Sequence, residues 1–143
     1  MKAKNPVEVL DLYEWLPGYG ETSVELITHG RDLKLSISYD GETDTLLSRV
    51  LTFHGVCGFN WSASPGVDTS NIEYDKSQNS HYVFGSLIEY TDSDAAKAWV
   101  AHFGRYLRVV KHYSVGFLAE NYMLRVFAES FSLSDAVIEN NKA

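Results

Sequence analysis

From His112 to Leu133 apolar and polar positions alternate in two runs. Tyr113, Val115, Phe117 and Ala119 share one parity. After Glu120-Asn121 the set Tyr122, Leu124, Val126 and Ala128 repeats it against Met123, Arg125, Phe127 and Glu129. Period-2 spacing with β-branched and aromatic residues predicts two strands of a hairpin. Asn121 tolerates the positive φ that a two-residue turn at Glu120-Asn121 requires, although Glu120 suits it poorly. Large apolar groups on both faces of the second strand suit a central position in a sheet. Gly116 marks a bulge or a close packing contact. A lone hairpin is unstable, so other elements must cover this one.

Upstream, Asn5-Pro6-Val7-Glu8 reads as a helix start, with Asn5 as cap, Pro6 in the first turn and Glu8 in capping-box position. Val9, Leu10, Leu12, Tyr13 and Leu16 then form one stripe, ended by Pro17-Gly18. The partial alternation of VEVLDLY keeps a strand over 7–16 as the alternative. Ser23–His29 and Leu33–Tyr39 alternate as strands around a Gly30-Arg31-Asp32 turn, and Asp40–Thr43 is a second reversal favoured by Asp-Gly. Leu46–Phe53 is a further strand that Gly55–Trp61 continues after a kink. The stretch 62–80, with Pro65-Gly66 and many Ser and Asn, predicts a long loop. Tyr82–Tyr90 returns to strand composition.

Thr91 or Asp92 caps the strongest helical segment, about 92–104 or longer. Ala96, Trp99, Phe103, Leu107 and Val110 recur at helical spacing, opposite Lys97, Arg105, Arg108 and Lys111. Gly104 weakens the C-terminal half, which leaves 105–111 open between helix and strand. Residues 136–143 are expected to form a frayed tail.

The chain has 143 residues, which suggests a single domain. Apolar residues make up 45% and aromatics 13%, which is globular composition. A net charge of −7 argues against general nucleic-acid binding, which needs clustered Lys and Arg. The single cysteine excludes an intrachain disulfide and points to a reducing, cytoplasmic compartment. No apolar run reaches signal-peptide or membrane-spanning length. No cofactor motif, phosphate loop or nucleophile elbow is present, and the five histidines lack metal-ligand spacing.

Candidate chemistry is therefore thin. Cys57 follows His54 by three residues, and an imidazole beside a thiol raises its thiolate fraction. Three residues along a strand put the two on opposite faces unless Gly55 kinks the chain, so a small buried cysteine is the simpler reading. Asp40, Glu42 and Asp44, like Asp92 and Asp94, are explained by turn and capping chemistry before acid–base roles. Lys97, Arg105, Arg108 and Lys111 form the only basic concentration and suit an acidic partner or simply a solvated helix face. Tyr13, Trp15, Tyr19, Trp61 and Tyr74 fall at element ends or in loops, where exposed aromatics favour recognition.

These features fit three functions. A protein-interaction module binding another protein through Trp15, Tyr19, Trp61, Tyr74, Lys97, Arg105 and Arg108 needs no special motif. A small-molecule-binding domain would have its pocket between sheet and helix. A small enzyme would use Cys57 and His54. The expected architecture is α+β: about six antiparallel strands in a strongly bent sheet or open barrel, one helix on one face. Trp99, Phe103 and Leu107 are expected to pack on Phe117, Leu124 and Val126, so that Trp99→Ala costs ~3–5 kcal/mol.

Overall fold

The computed structural model describes residues 1–64, 71–75, 84–104 and 108–141. Strands β1 (Lys2–Asp11), β2 (Ser23–His29), β3 (Asp32–Asp40), β4 (Thr45–His54), β5 (Gly58–Ala63) and β6 (Glu73–Tyr74) come first. Then follow β7 (Ser86–Ser93), helix α1 (Asp94–Phe103), β8 (Lys111–Phe117), β9 (Tyr122–Ala128), β10 (Ser130–Leu133) and β11 (Val137–Asn141). A 3-10 turn, Leu12–Glu14, follows β1. The larger sheet runs β5-β9-β8-β7-β1-β6 and curls strongly; the smaller runs β10-β4-β3-β2, with β11 also on β4. The fold is α+β as expected. It differs in having a second sheet, and in being mixed rather than purely antiparallel, because β6 pairs with β1 in parallel.

The central hairpin is β8–β9. Phe117 pairs with Tyr122, so four residues turn the chain and not two. Asn121 takes the positive φ, 56°, and its N–H closes on the Phe117 carbonyl. The β3–β4 turn is also longer than an Asp-Gly reversal. It spans 41–44, with the positive φ at Asp44, while a side chain at Gly41 would collide with Thr45 and Leu47.

The expected helix over 5–16 is absent. Asn5 has a φ of 55°, which kinks an extended chain, and Pro6 pairs with Tyr90 of β7 inside β1. Beyond Ala3 no described strand covers the far side of β1, so the missing proline N–H costs no ladder bond. Glu8, the supposed capping-box acid, accepts from the Ser86 hydroxyl instead.

The stretch 55–61 does not prolong β4. Gly55 turns at φ 62°, where a side chain would strike Glu129, and β5 leaves for the larger sheet beside β9. After Ala128 the chain crosses back into β10 on β4. The tail does not fray as expected: Val137–Asn141 forms β11 along β4. Of the predicted loop 62–80, Ser62 and Ala63 end β5 and Glu73–Tyr74 forms β6. The remainder at 65–70 and 76–80, with His81, Tyr82, Arg105, Tyr106 and Leu107, lies outside the described residues.

The main core lies between the sheets. Tyr113, Val115, Phe117, Leu124 and Val126 of the hairpin meet Leu33, Leu35, Ile37, Leu51 and Phe53 of the smaller sheet, and Leu12 is buried with them. The helix takes the other face of the larger sheet, which corrects the expected packing on Phe117, Leu124 and Val126. It runs only over Asp94–Phe103 because Gly104 caps it at φ 54°. Ser93, not Thr91 or Asp92, is the N-cap, its hydroxyl accepting from the Ala96 N–H at 3.1 Å. Its buried residues are Ala95 and Ala96, and Trp99 and Phe103 are half-buried. The backbone N–H of Lys2 donates to Asp94 at 2.8 Å and holds the helix start to β1.

Candidate functional site

Among the described residues, three regions collect the polar groups able to do chemistry. The first is the corner where the chain changes sheets. Cys57 donates its backbone N–H to Phe127, and burial pushes its thiol up, against the opposing Arg108 guanidinium. Raised thiols are poor nucleophiles at neutral pH. His54 turns elsewhere: Nε2 is 2.8 Å from the Ser132 hydroxyl and Nδ1 is 3.6 Å from Asp32. Arg108 is spent on structure, donating from Nε to Glu129 at 2.9 Å and from Nη2 to the Gly55 carbonyl at 3.0 Å, with its guanidinium over the Phe103 ring. Arg31 reaches the same Glu129 oxygen at 3.3 Å.

The second region lies beneath α1. His112 is fully buried, with Nδ1 2.7 Å from the Ser93 hydroxyl and Nε2 2.9 Å from the Tyr74 hydroxyl. Phe127, Tyr90 and Tyr74 surround the ring at centroid distances of 4.4, 5.3 and 5.3 Å. Burial and then the Arg125 charge push its pKa down from 6.5 to about 4. A neutral imidazole donates through one nitrogen and accepts through the other, and both hydroxyls can take either role. The network is thus complete. Beside it a cavity of about 320 Å³ opens between β7 and α1, lined by Glu89, Tyr90, Ser93, Lys97, Val100 and Lys111 among others. Lys97 is held by Asp92 at 2.7 Å.

The third region is the end of the smaller sheet around the β3–β4 turn. Asp40, Glu42, Asp44 and Glu139 collect there. Tyr19, 63% exposed, donates its hydroxyl to Asp40 at 2.8 Å. Val137 and Ile138, 61% and 64% exposed, pair with Ser48 and Leu47. Those residues pair in turn with Ser38 and Tyr39 of β3. Two strand spacings, about 10 Å, therefore separate the apolar pair from the β3 row that ends in Asp40. Glu139 accepts from the Ser38 hydroxyl at 3.1 Å, which ties β11 across this face. The neighbouring cation turns inward: Arg49 donates to the Tyr39 hydroxyl at 3.4 Å and stacks 5.0 Å from the Trp15 ring.

The predicted binding residues are thus dispersed. Tyr19 stands at the acidic end, and Trp15 lies just inside it, packed on Tyr39 at 4.9 Å. Trp61 packs on Phe117 and stacks on Tyr122, with centroids at 5.9 and 5.2 Å. Tyr74 belongs to the His112 network, with the Arg125 guanidinium 4.6 Å from its ring. Lys97 sits on the helix side, and Arg108 at the corner where the chain changes sheets. Sequence reasoning missed Val137, Ile138 and Glu139 by treating them as a tail. The signal was an apolar pair placed between Asp135 and Glu139.

Compared with family models, curated proteins and solved structures, the chain matches none. Among the described residues no helix is long and apolar enough to cross a membrane.

Proposed function

We propose that the chain is a protein-interaction module without catalytic chemistry of its own, and that it docks a partner carrying basic side chains around an apolar centre. The observation that carries this reading is the end of the smaller sheet, where Tyr19, bonded to Asp40, and Val137, on the same sheet face as Ser38 and Asp40, are both more than 60% exposed beside Asp40, Glu42, Asp44 and Glu139. Single exposed apolar residues need no explanation, but a group of them rimmed by one sign of charge resembles an interface. The acidic rim selects and steers a basic partner, and the apolar centre supplies contact area. The positions of Cys57, His54 and His112 support the non-catalytic part of the reading, because each is engaged in holding the fold.

The test compares immobilised wild type with Glu42→Lys and Val137→Asp, each first checked for an unchanged melting temperature. A protein that stays on wild type at physiological salt, is lost from both variants and elutes with rising salt supports the reading. Equal retention by all three overturns it. The cavity between β7 and α1 supports a second reading as a small-ligand site, because its volume falls at the lower end of the range such sites occupy.

A further inference from the structure

Strand β2 is the edge of the smaller sheet, and no described strand covers its outer side. Exposed edges are usually blunted by proline, lysine, bulges or short length. Two other open edges of this molecule are blunted so: β1 carries Pro6 and a register shift, and β11 has a shift between Ile138 and Asn140. β2 has none of these. It pairs with β3 over seven consecutive positions without a shift, and its sequence, SVELITH, contains neither proline nor lysine.

The register identifies which groups face outward. His29 opposes Asp32 across a two-residue turn, which makes theirs a hydrogen-bonded pair. Glu25 and Ile27 then also bond to β3, and Val24, Leu26 and Thr28 point their N–H and C=O groups to the open edge. The Val24 N–H confirms the parity, since it donates to the Glu120 carboxylate at 3.3 Å and not to β3. Leu26 and Thr28 are left as the open backbone groups of the strand.

We infer that this edge binds a second copy of the same chain, β2 against β2 in antiparallel register centred on Ile27. That register hydrogen-bonds Leu26 of each copy to Thr28 of the other, using the backbone groups that remain open. It sets Ile27 against Ile27 as a non-hydrogen-bonded pair, where side chains approach most closely. It also sets Glu25 of each copy opposite His29 of the other, twice over, so each carboxylate meets an imidazole able to donate a hydrogen bond to it. Ile27 is 41% exposed in the single chain, and Glu25 and His29 are exposed on either side of it. A two-fold axis through Ile27 satisfies the requirement that one patch match itself. The result is one continuous sheet through both copies. The apolar pair at Val137 and Ile138 lies on the opposite edge, beyond β4, and stays free for another partner.

Sedimentation of the full chain over a wide concentration range tests this. Weight-average mass is expected to rise toward twice the monomer mass. Ile27→Lys should return it to monomer, and Glu25→Lys should weaken association at least tenfold. Glu25→Lys combined with His29→Glu should restore it. In a Cys57→Ser background, Ile27→Cys should form a disulfide-linked dimer on mild oxidation, whereas Thr28→Cys should not. A chain that stays monomeric to millimolar concentration overturns the inference. So does a dimer that persists in Ile27→Lys or that fails to cross-link through residue 27.

Discussion

The hairpin β8–β9 is covered on both faces by different means. Toward the smaller sheet it meets a broad layer of Tyr113, Val115, Phe117, Leu124 and Val126 against leucines and Phe53, almost free of polar atoms. Toward α1 the second cluster is small, with Ala3, Ile72 and Ala95 buried and Tyr74, Tyr90 and Phe127 packed around them. That side gains order from His112, Ser93 and Tyr74, whose hydrogen bonds join β8, the helix cap and β6. The first face is stabilised by area, which any apolar residue of suitable shape supplies. The second depends on geometry, because each polar atom removed from water there must find its partner. Substitutions should therefore differ in kind across one sheet.

The largest expected effect is on the broad face. Phe117 is 1% exposed and packs against Trp61. Phe117→Ala should lower unfolding free energy by about 3–5 kcal/mol in a denaturant titration, with no change in its pH dependence.

On the narrow face the sensitive variable is pH. In the unfolded chain His112 takes a proton near its ordinary value of 6.5, but in the fold burial and Arg125 hold that value down to about 4. Between these values the unfolded chain binds the extra proton, so stability rises with pH. The contribution is complete above pH 6.5 and is lost progressively as pH falls toward 4, amounting to about 3 kcal/mol. The measurement is the difference between wild type and His112→Gln in unfolding free energy at pH 7 and pH 4.5. That difference should shrink at the lower pH. A constant gap would mean that the imidazole is not held neutral by its surroundings.

The contrast also explains what could be read from the chain beforehand. The hairpin and the β2–β3–β4 meander were legible because alternation of apolar and polar residues records a sheet with one dry face. The destination of the dry face was not legible. Tyr113, Val115 and Phe117 look equally ready to receive a helix or a second sheet, and periodicity carries no information about which arrives. Asn5-Pro6 misled because the same pair that opens a helix also kinks an edge strand. At the acidic end, Tyr19 was legible as an aromatic in a turn. Val137 and Ile138 were not, since five residues gain strand character only from the β4 ladder beside them.

Trp99→Ala sharpens the same point at smaller magnitude. A helix lying on the broad face would give the ~3–5 kcal/mol of a fully buried tryptophan. Trp99 instead is half-buried on the rim, 3.6 Å from where a side chain at Gly58 would begin and stacked with Phe103 at 6.1 Å. Its removal uncovers part of one face and leaves no closed cavity, so the loss should be about 1–2 kcal/mol. Thermal and denaturant unfolding of this variant beside Phe117→Ala would show whether the helix side is the weaker of the two.

The smallest stability effect belongs to Glu42→Lys, in the β3–β4 turn. Glu42 is exposed, and Asp40, Asp44 and Glu139 crowd the same end of the sheet with negative charge. Replacing one of four like charges removes repulsion while disturbing no packed side chain, so unfolding free energy should move by no more than about 0.5 kcal/mol, toward greater stability if at all. An acidic cluster maintained for structure would respond the other way, losing stability when an acid that served it is reversed. A variant slightly more stable than wild type would identify this end of the sheet as carrying a cost to the isolated fold, which is the signature expected of a surface shaped for something other than folding.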